Sequence, residues 1–170
     1  MSELDKLYER IGAIHIDCFT LIKNTFGYYL PVSGNIAVFC QSEDEYDKFL
    51  LERELITKVS DDPKQKYFEL KEPVEIAGRA DFPATTYTHL YIRKPDTTDY
   101  GKFKGDVDFI VGNEEYRSLV KEVTARKYGT QVVMYDRPGW DTIQITAKGI
   151  KSVAYVSTIE MAIKARFKFD

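Results

Sequence analysis

Residues 105–135 decide the fold, because their sequence, GDVDFIVGNEEYRSLVKEVTARKYGTQVVMY, predicts a strand, a helix and a second strand in succession. Apolar and polar residues alternate in DVDFIV, which is the period of a strand with two different faces. Asn113 and the acidic residues after it are typical of a helix N-terminus. Gly129 is suited to end that helix, because glycine adopts the left-handed conformation at little cost. We therefore expect a strand–helix–strand unit here.

Residues 35–70 repeat this order of elements, which predicts two copies of one module. Strand 36–40, IAVFC, aligns with strand 107–111, VDFIV, at an offset of 71 residues, which is 107 minus 36. Ser42, with Glu45 three residues later, predicts a capping box at the start of the first helix. Two unrelated strand–helix units would also share caps and apolar strands, so chance likeness stays open as the alternative.

The composition indicates a soluble globular protein. Of the 170 residues, 44% are hydrophobic and 30% are charged, and the formal net charge is −3. This acidic balance disfavours nucleic acid as a partner, although lysines and aromatic residues interleave at 100–104 and 164–169. Cys18 and Cys40 lack zinc-site spacing and are expected to be small buried hydrophobes. Because the start, SELDKLYER, is too charged for a secretion signal and no run of about 20 apolar residues occurs, we expect a cytoplasmic protein with no membrane partner.

The remaining elements predict a single domain of the α+β class, residues 1–170. An amphipathic helix fills residues 1–30, the first module covers 35–94, and the second covers 105–146. Residues 147–170 form a C-terminal tail with a strand and a helix. The expected architecture is two βαβββ-type modules that form a curved mixed sheet around a cleft, with the N-terminal helix and the tail added.

Four predicted strands have one apolar face and one mixed polar face, and the polar faces form the candidate site. Asn35 and Asp106 head the two modules at equivalent positions and should point away from the helices. The candidate residues on these polar faces are Asn35, His89, Tyr91, Arg93, Asp106, Asp108 and Gln144. A solvent-exposed sheet face produces the same alternation, so a surface role is the alternative.

His89 and Asp106 are the candidate catalytic residues. His89 lies in the middle of a strand on the polar face, where an imidazole is suited to act as a general base. Asp106 lies two residues from Asp108 on the same face, so the two carboxylates could share a proton or a cation. Trp140 follows an Asp-Arg-Pro-Gly turn and is a further candidate for ligand binding, because aromatic side chains often anchor partners. Hairpin packing is the structural alternative for Trp140.

Three segments carry a resemblance to a known family: GNIAVFC at 34–40, YFELKEPVEIAG at 67–78 and YIRKPDTTDYGKFKGDVDFIV at 91–111. They resemble the vicinal oxygen chelate superfamily, which is glyoxalase- and dioxygenase-like, and within it the YecM-like branch. That branch opens its first strand with Asp-His, continues with Leu-x-x-Pro-Val/Ile and Leu-Pro-x-Pro segments, and heads its second module with Gly-Trp-Glu-His. The resemblance implies paired βαβββ modules whose strands enclose a cleft.

In that superfamily the module-opening histidines and a carboxylate bind a divalent metal. The resemblance implies that the histidines fall on Asn35 and Asp106 and the carboxylate on or near Arg93, so most of the ligand set is missing. An arginine opposes a cation and suits a carboxylate or phosphate ligand instead. We therefore expect no metal ligands, although a divalent metal held by oxygen atoms near His89 stays open as the alternative.

These observations lead to two functional hypotheses. The first is a protein that binds a small polar or anionic ligand in the cleft, with lyase or isomerase chemistry as the activity that the resemblance implies. The second is a non-enzymatic module that binds another protein, or forms a homodimer, through its sheet face and its N-terminal helix. Fold supports many functions, so the first hypothesis depends on the site and not on the architecture.

Overall fold

A computed structural model describes residues 1–137 and 140–168, apart from the side chains of Arg137 and Trp140. The expected Pro138-Gly139 turn lies outside the described residues. Four α-helices, seven strands and a short 3-10 turn are found in the described part of the chain. In chain order they are α1 (Glu3–Phe26), β1 (Val32–Phe39), α2 (Glu43–Ile56), β2 (Phe68–Ile76), β3 (Thr85–Arg93), the 3-10 turn (Asp99–Lys102), β4 (Gly105–Ile110), α3 (Asn113–Thr124), β5 (Val132–Arg137), β6 (Trp140–Ile145), β7 (Val153–Ser157) and α4 (Ile159–Lys164).

The strands form one mixed sheet in the order β2-β3-β1-β4-β7-β6-β5. β1 runs parallel to β3, β4 runs parallel to β7, and every other neighbouring pair is antiparallel. The α+β class and the curved mixed sheet expected from the sequence are confirmed. β7 comes from the C-terminal tail, and its place beside β4 extends the second half of the sheet to Ser157.

The two halves of the sheet are related as the sequence offset predicts. Ile36 pairs with Val107 across the antiparallel β1–β4 junction, and these are the two residues that the offset of 71 aligns. In each half the first strand is followed by a helix and pairs in parallel with the last strand of that half. In the second half β5 is the edge strand. At the corresponding edge of the first half an isolated bridge joins Thr57 to Leu70. The junction of the two modules is therefore the centre of the sheet.

The main core lies between one face of the sheet and helices α1, α2 and α3. The apolar residues of α1 recur every three or four positions and are buried, as in Leu7, Ile11, Ile14 and Cys18. Burial of this stripe is favourable because it removes apolar surface from water. Ser2 and Asp5 exchange the reciprocal bonds of a capping box and fix where α1 begins.

Two helix starts differ from the sequence expectation. Asn113 is the first residue of α3 and not its N-cap; the N-cap is Gly112, which has no side chain to form a cap bond. The spacing of Ser157 and Glu160 predicts a capping box at Ser157, but α4 is capped by Thr158, whose hydroxyl accepts from the amide of Met161. The acidic first turn of α3 still favours the positive end of the helix dipole.

The second face of the sheet, which we call the site face, is covered by α4 and the residues after it. The amide of Lys66 donates to the carbonyl of Arg166, and the amide of Lys168 donates to the carbonyl of Lys64. These bonds tie the end of the chain to the segment before β2. The tail is thus part of the fold and brings Arg166 onto the site face.

Candidate functional site

A row of polar side chains crosses the site face. The strand register places Glu69 beside His89, His89 beside Asn35, Asp108 beside Tyr155, and Tyr155 beside Gln144. The two parts of the row are joined at the module junction, where the Asn35 side-chain amide donates a 2.9 Å hydrogen bond to Asp108 Oδ2. We call these residues the site row, and they are Glu69, His89, Asn35, Asp108, Tyr155 and Gln144. Four of the candidates from the sequence, Asn35, His89, Asp108 and Gln144, therefore lie in one line.

Asn35 is the centre of the site row and is fully buried. Its Nδ2 donates to Asp108 Oδ2 and, over 2.8 Å, to the carbonyl of Ala162 in α4. Its Oδ1 accepts a 2.7 Å bond from Arg166 Nε. One amide thus joins both modules and the tail, and each of its hydrogen-bonding atoms has a partner, as a buried polar group requires.

Arg166 supplies a positive charge beside this centre. Burial lowers the pKa of its guanidinium, and the carboxylate of Asp108 acts in the opposite direction. Its Nη2 also lies 3.4 Å from the carbonyl of Ser33. A buried carboxylate must be compensated, and the charge of Arg166 and the bond from Asn35 both act on buried Asp108.

Asp106 lies one step along β4 from this row, on the same face. It is buried, and its Oδ1 accepts from the Tyr67 hydroxyl over 3.3 Å. The Tyr67 ring lies 5.3 Å from the ring of Tyr91, and the Lys66 ammonium lies 5.7 Å from the Tyr91 ring. The register places Tyr91 beside Ala37 and Ala37 beside Asp106, so Tyr91 and Asp106 lie on one side of the sheet.

His89 is partly exposed and lies between Glu69 and Asn35 in the site row. Its Nδ1 lies 2.9 Å from the Thr88 hydroxyl. Burial, followed by the charge of Arg166, lowers the pKa of His89 from 6.5 to about 4. The imidazole is therefore neutral at neutral pH and is a weak base.

The depressed pKa of His89 predicts an acid-sensitive fold. The unfolded chain binds a proton near pH 6.5, while folded His89 binds one only near pH 4, so stability is complete above pH 6.5 and falls towards pH 4. We expect this histidine to contribute about 1 to 2 kcal/mol to that fall, after discounting for solvent screening. The free energy of unfolding, measured by urea denaturation at several pH values in this range, should fall less steeply with decreasing pH for His89→Gln than for the parent chain. An identical slope in both would contradict the shifted pKa.

Arg93 stands apart from the site row. Arg93 pairs with Phe39 in the register, and its guanidinium lies 2.7 Å from Asp96 and 4.7 Å from the centre of the Phe39 ring. It also lies 4.9 Å from the ring of Tyr100, so it anchors the 3-10 turn. The register thus places His89, rather than Arg93, beside Asn35. The side chain of Trp140 lies outside the described residues.

Arg166, Tyr67 and Tyr155 belong to the site although the sequence did not predict them. Tyr155 is buried, and its hydroxyl lies 2.5 Å from that of Tyr100 and 3.3 Å from Gln144 Oε1. Its strand, VAYVS, is mostly apolar and fully buried, so little in the sequence indicated that the tyrosine takes part in a polar site. Arg166 lies in a tail whose basic and aromatic residues suggested only a weak nucleic-acid signal.

The residues at the expected metal positions do not fit a divalent metal. Asn35 Oδ1, the oxygen that would face a cation, already accepts from the guanidinium of Arg166. A positive charge at this distance opposes a second cation. Among the residues that the structure describes, no three His, Cys, Asp or Glu side chains come together as a metal-binding group.

Comparison with known proteins gives a fold and no family. No protein-family model matches the chain, and no curated protein matches it. A solved structure from structural genomics, designated protein EC4020, is similar, with a TM-score of 0.56 and 13% sequence identity over 95% of this chain and 93% of that one. At this identity the likeness shows a shared fold. Within residues 1–137 and 140–168, we find no helix with the length and apolar character that crossing a bilayer requires.

Proposed function

We propose that the site face binds a small anionic ligand beside His89 and Arg166. The observation that carries this proposal is a cationic guanidinium held on the site face by the fully buried Asn35, next to a partly exposed imidazole. Arginine suits carboxylate and phosphate groups because its N–H donors match two acceptor oxygens. Lys66 adds positive charge on the same side, whereas Lys58, which also lowers the pKa of His89, forms an ion pair with Glu69.

The site supports binding better than turnover. Lyase or isomerase chemistry needs a general base whose pKa lies near the working pH. The pKa of His89 is about 4, so its neutral ring would accept a proton only weakly. The buried carboxylates of Asp106 and Asp108 are engaged by Tyr67 and Asn35. We therefore propose a ligand-binding protein, in which the residues of the superfamily's metal site have been replaced by a hydrogen-bonded network.

Titration with inorganic phosphate and with succinate, followed by amide NMR shifts of the full chain, tests this proposal. We expect saturable shifts around His89, Tyr91 and Arg166, with dissociation constants in the millimolar range or below. His89→Ala should weaken binding, because it removes a donor next to the anion without changing the bonds of Asn35.

Arg117→Gln is the matched control, because Arg117 is an exposed arginine on α3 and lies outside the site row. It should bind phosphate and succinate as the parent chain does. Shifts that do not saturate, or that centre on another surface, would contradict the proposal. Equal loss of binding in both variants would also contradict it, because neutral His89 and distant Arg117 would then matter alike.

A second candidate function is an interaction module. Leu51, Leu55 and Val59 lie on or just after α2 and are 63%, 68% and 97% exposed. Apolar side chains grouped in this way are typical of a surface that a partner protein or a second copy covers. On α1, which was also expected to mediate this contact, Tyr8 is exposed but Ile11 is buried in the core.

A further inference from the structure

A small cavity lies on the helix side of the sheet, away from the site face. It is formed between α1, the end of β2 and the hairpin that Arg79 and Phe82 close with two main-chain bonds. Its volume is about 60 Å³, and it is the most enclosed of the cavities described. The lining residues are Gly12, His15, Ile16, Ile76, Ala77, Arg79 and Phe82.

His15, one of the lining residues, has an unpartnered polar atom. The residue is only 2% exposed, and its Nε2 is buried without a hydrogen-bond partner among the described residues. Leaving such an atom unpaired costs about 1 to 3 kcal/mol. The position of His15 thus calls for a partner that the described residues do not supply.

The tautomer of His15 follows from its other nitrogen. Nδ1 lies 2.8 Å from the hydroxyl of Tyr87, whose ring is fully buried. The described residues give this hydroxyl no other acceptor, so it donates to Nδ1 and leaves the hydrogen on Nε2. Burial, then the charge of Arg79, lowers the pKa of His15 to about 4, which keeps the ring neutral. His15, which lines the cavity, is therefore neutral and carries its hydrogen on the unpartnered Nε2.

Arg79 adds a positive charge to the same cavity. It is exposed, and no ion pair involves it within the described residues. The rest of the wall is apolar and comes from Ile16, Ile76, Ala77 and Phe82. Two donors, one of them cationic, beside an apolar wall complement a group with acceptor oxygens and a short hydrocarbon part.

We propose that this cavity is a binding site for a short-chain aliphatic carboxylate. A water molecule occupies about 10 to 15 Å³ on this measure of volume, so 60 Å³ holds about four to six atoms of that size. Propionate, with its carboxylate and two further carbons, has this size. Its oxygens would accept from His15 Nε2 and Arg79, while its ethyl group would contact Phe82 and Ile76. A metal cation does not suit the site, because Arg79 and an N–H donor both repel it.

The test is a titration of the full chain with sodium propionate, followed by the side-chain nitrogen shifts of His15. We expect a saturable shift of His15 Nε2 and of the amides of Ala77 and Phe82, with an affinity in the millimolar range that suits so small a ligand. Arg79→Gln should weaken binding about tenfold or more, because it removes a charged donor. Sodium chloride at the same ionic strength should leave His15 unchanged.

Propionamide and Arg117→Gln are the matched controls. Propionamide has the shape of propionate without its charge and should bind at least tenfold more weakly, while Arg117→Gln should bind propionate normally. Equal binding of propionamide, unchanged affinity in Arg79→Gln, or a His15 that does not respond because the cavity holds only water would each overturn the proposal. His15→Phe is a second variant, in which the shifts of Ala77 and Phe82 should disappear. Because these residues are on the helix side, failure here is distinguishable from failure at His89.

Discussion

Gly105→Ala is expected to lower the free energy of unfolding by about 3 kcal/mol or more. A β-carbon at this position would lie 2.2 Å from the carbonyl oxygen of Ala37 and 2.5 Å from Cδ1 of Ile14. The first atom belongs to β1 at the module junction, where Val38 pairs with Gly105. The carbonyl cannot retreat without disturbing that junction, and Ile14 is held in the packed core. The substitution therefore disturbs two contacts at once, the junction of the two modules and the packing of α1 on the sheet.

Urea denaturation of the purified variant measures this effect. Gly12→Ala is the matched control, because a β-carbon on Gly12 meets no atom within 4 Å and the residue lies inside α1. Alanine there should raise stability by up to about 1 kcal/mol, since it is the better helix former. Equal stability changes in the two variants would show that the contact at Gly105 relaxes at little cost.

The glycines that open the two modules illustrate how much of the fold the sequence predicts. Gly34 and Gly105 occupy the same place in the repeat, at the offset of 71 residues, and each precedes a candidate site residue. Gly34 has a φ of +100°, and a β-carbon there would lie 2.5 Å from the Thr88 hydroxyl, so both positions need glycine for close approach. A local repeat therefore carries a long-range packing requirement. The faces of β1 and β4 could be predicted for a related reason, because side chains alternate along every strand.

The network around Asn35 could not be predicted in the same way. Arg166 is 131 residues from Asn35 along the chain, and their contact depends on the path of the tail. Nothing in the local pattern of the tail indicates that its arginine is half covered. Strand register was the second obstacle: the sequence shows that β3 alternates, but not which of its residues lies beside Asn35. Only the parallel pairing places His89 there and moves Arg93 to Phe39.

Arg166→Met is expected to lower the free energy of unfolding by about 2 kcal/mol. Methionine keeps much of the apolar contact of the side chain but removes the donor to Asn35 Oδ1 and the charge beside Asp108. Loss of one partner of a buried ion pair costs about 3 to 5 kcal/mol, and we expect less because Arg166 is only partly buried. Arg117→Met, on exposed α3 surface, should change stability by less than about 0.5 kcal/mol.

A double-mutant cycle with Asp108→Asn separates the charge effect from the loss of packing. If Arg166 mainly compensates the carboxylate, Asp108→Asn removes the need for it. The loss in free energy of unfolding of the double variant should then be smaller than the sum of the two single losses by about 1 kcal/mol or more. Additive effects, measured by urea denaturation, would instead assign the stability to the bonds of Arg166 with Asn35 and Ser33. The first result would mean that the tail acts as an internal cation for the site face. A ligand anion would then have to share Arg166 with Asp108, so phosphate should bind more tightly to Asp108→Asn than to the parent chain.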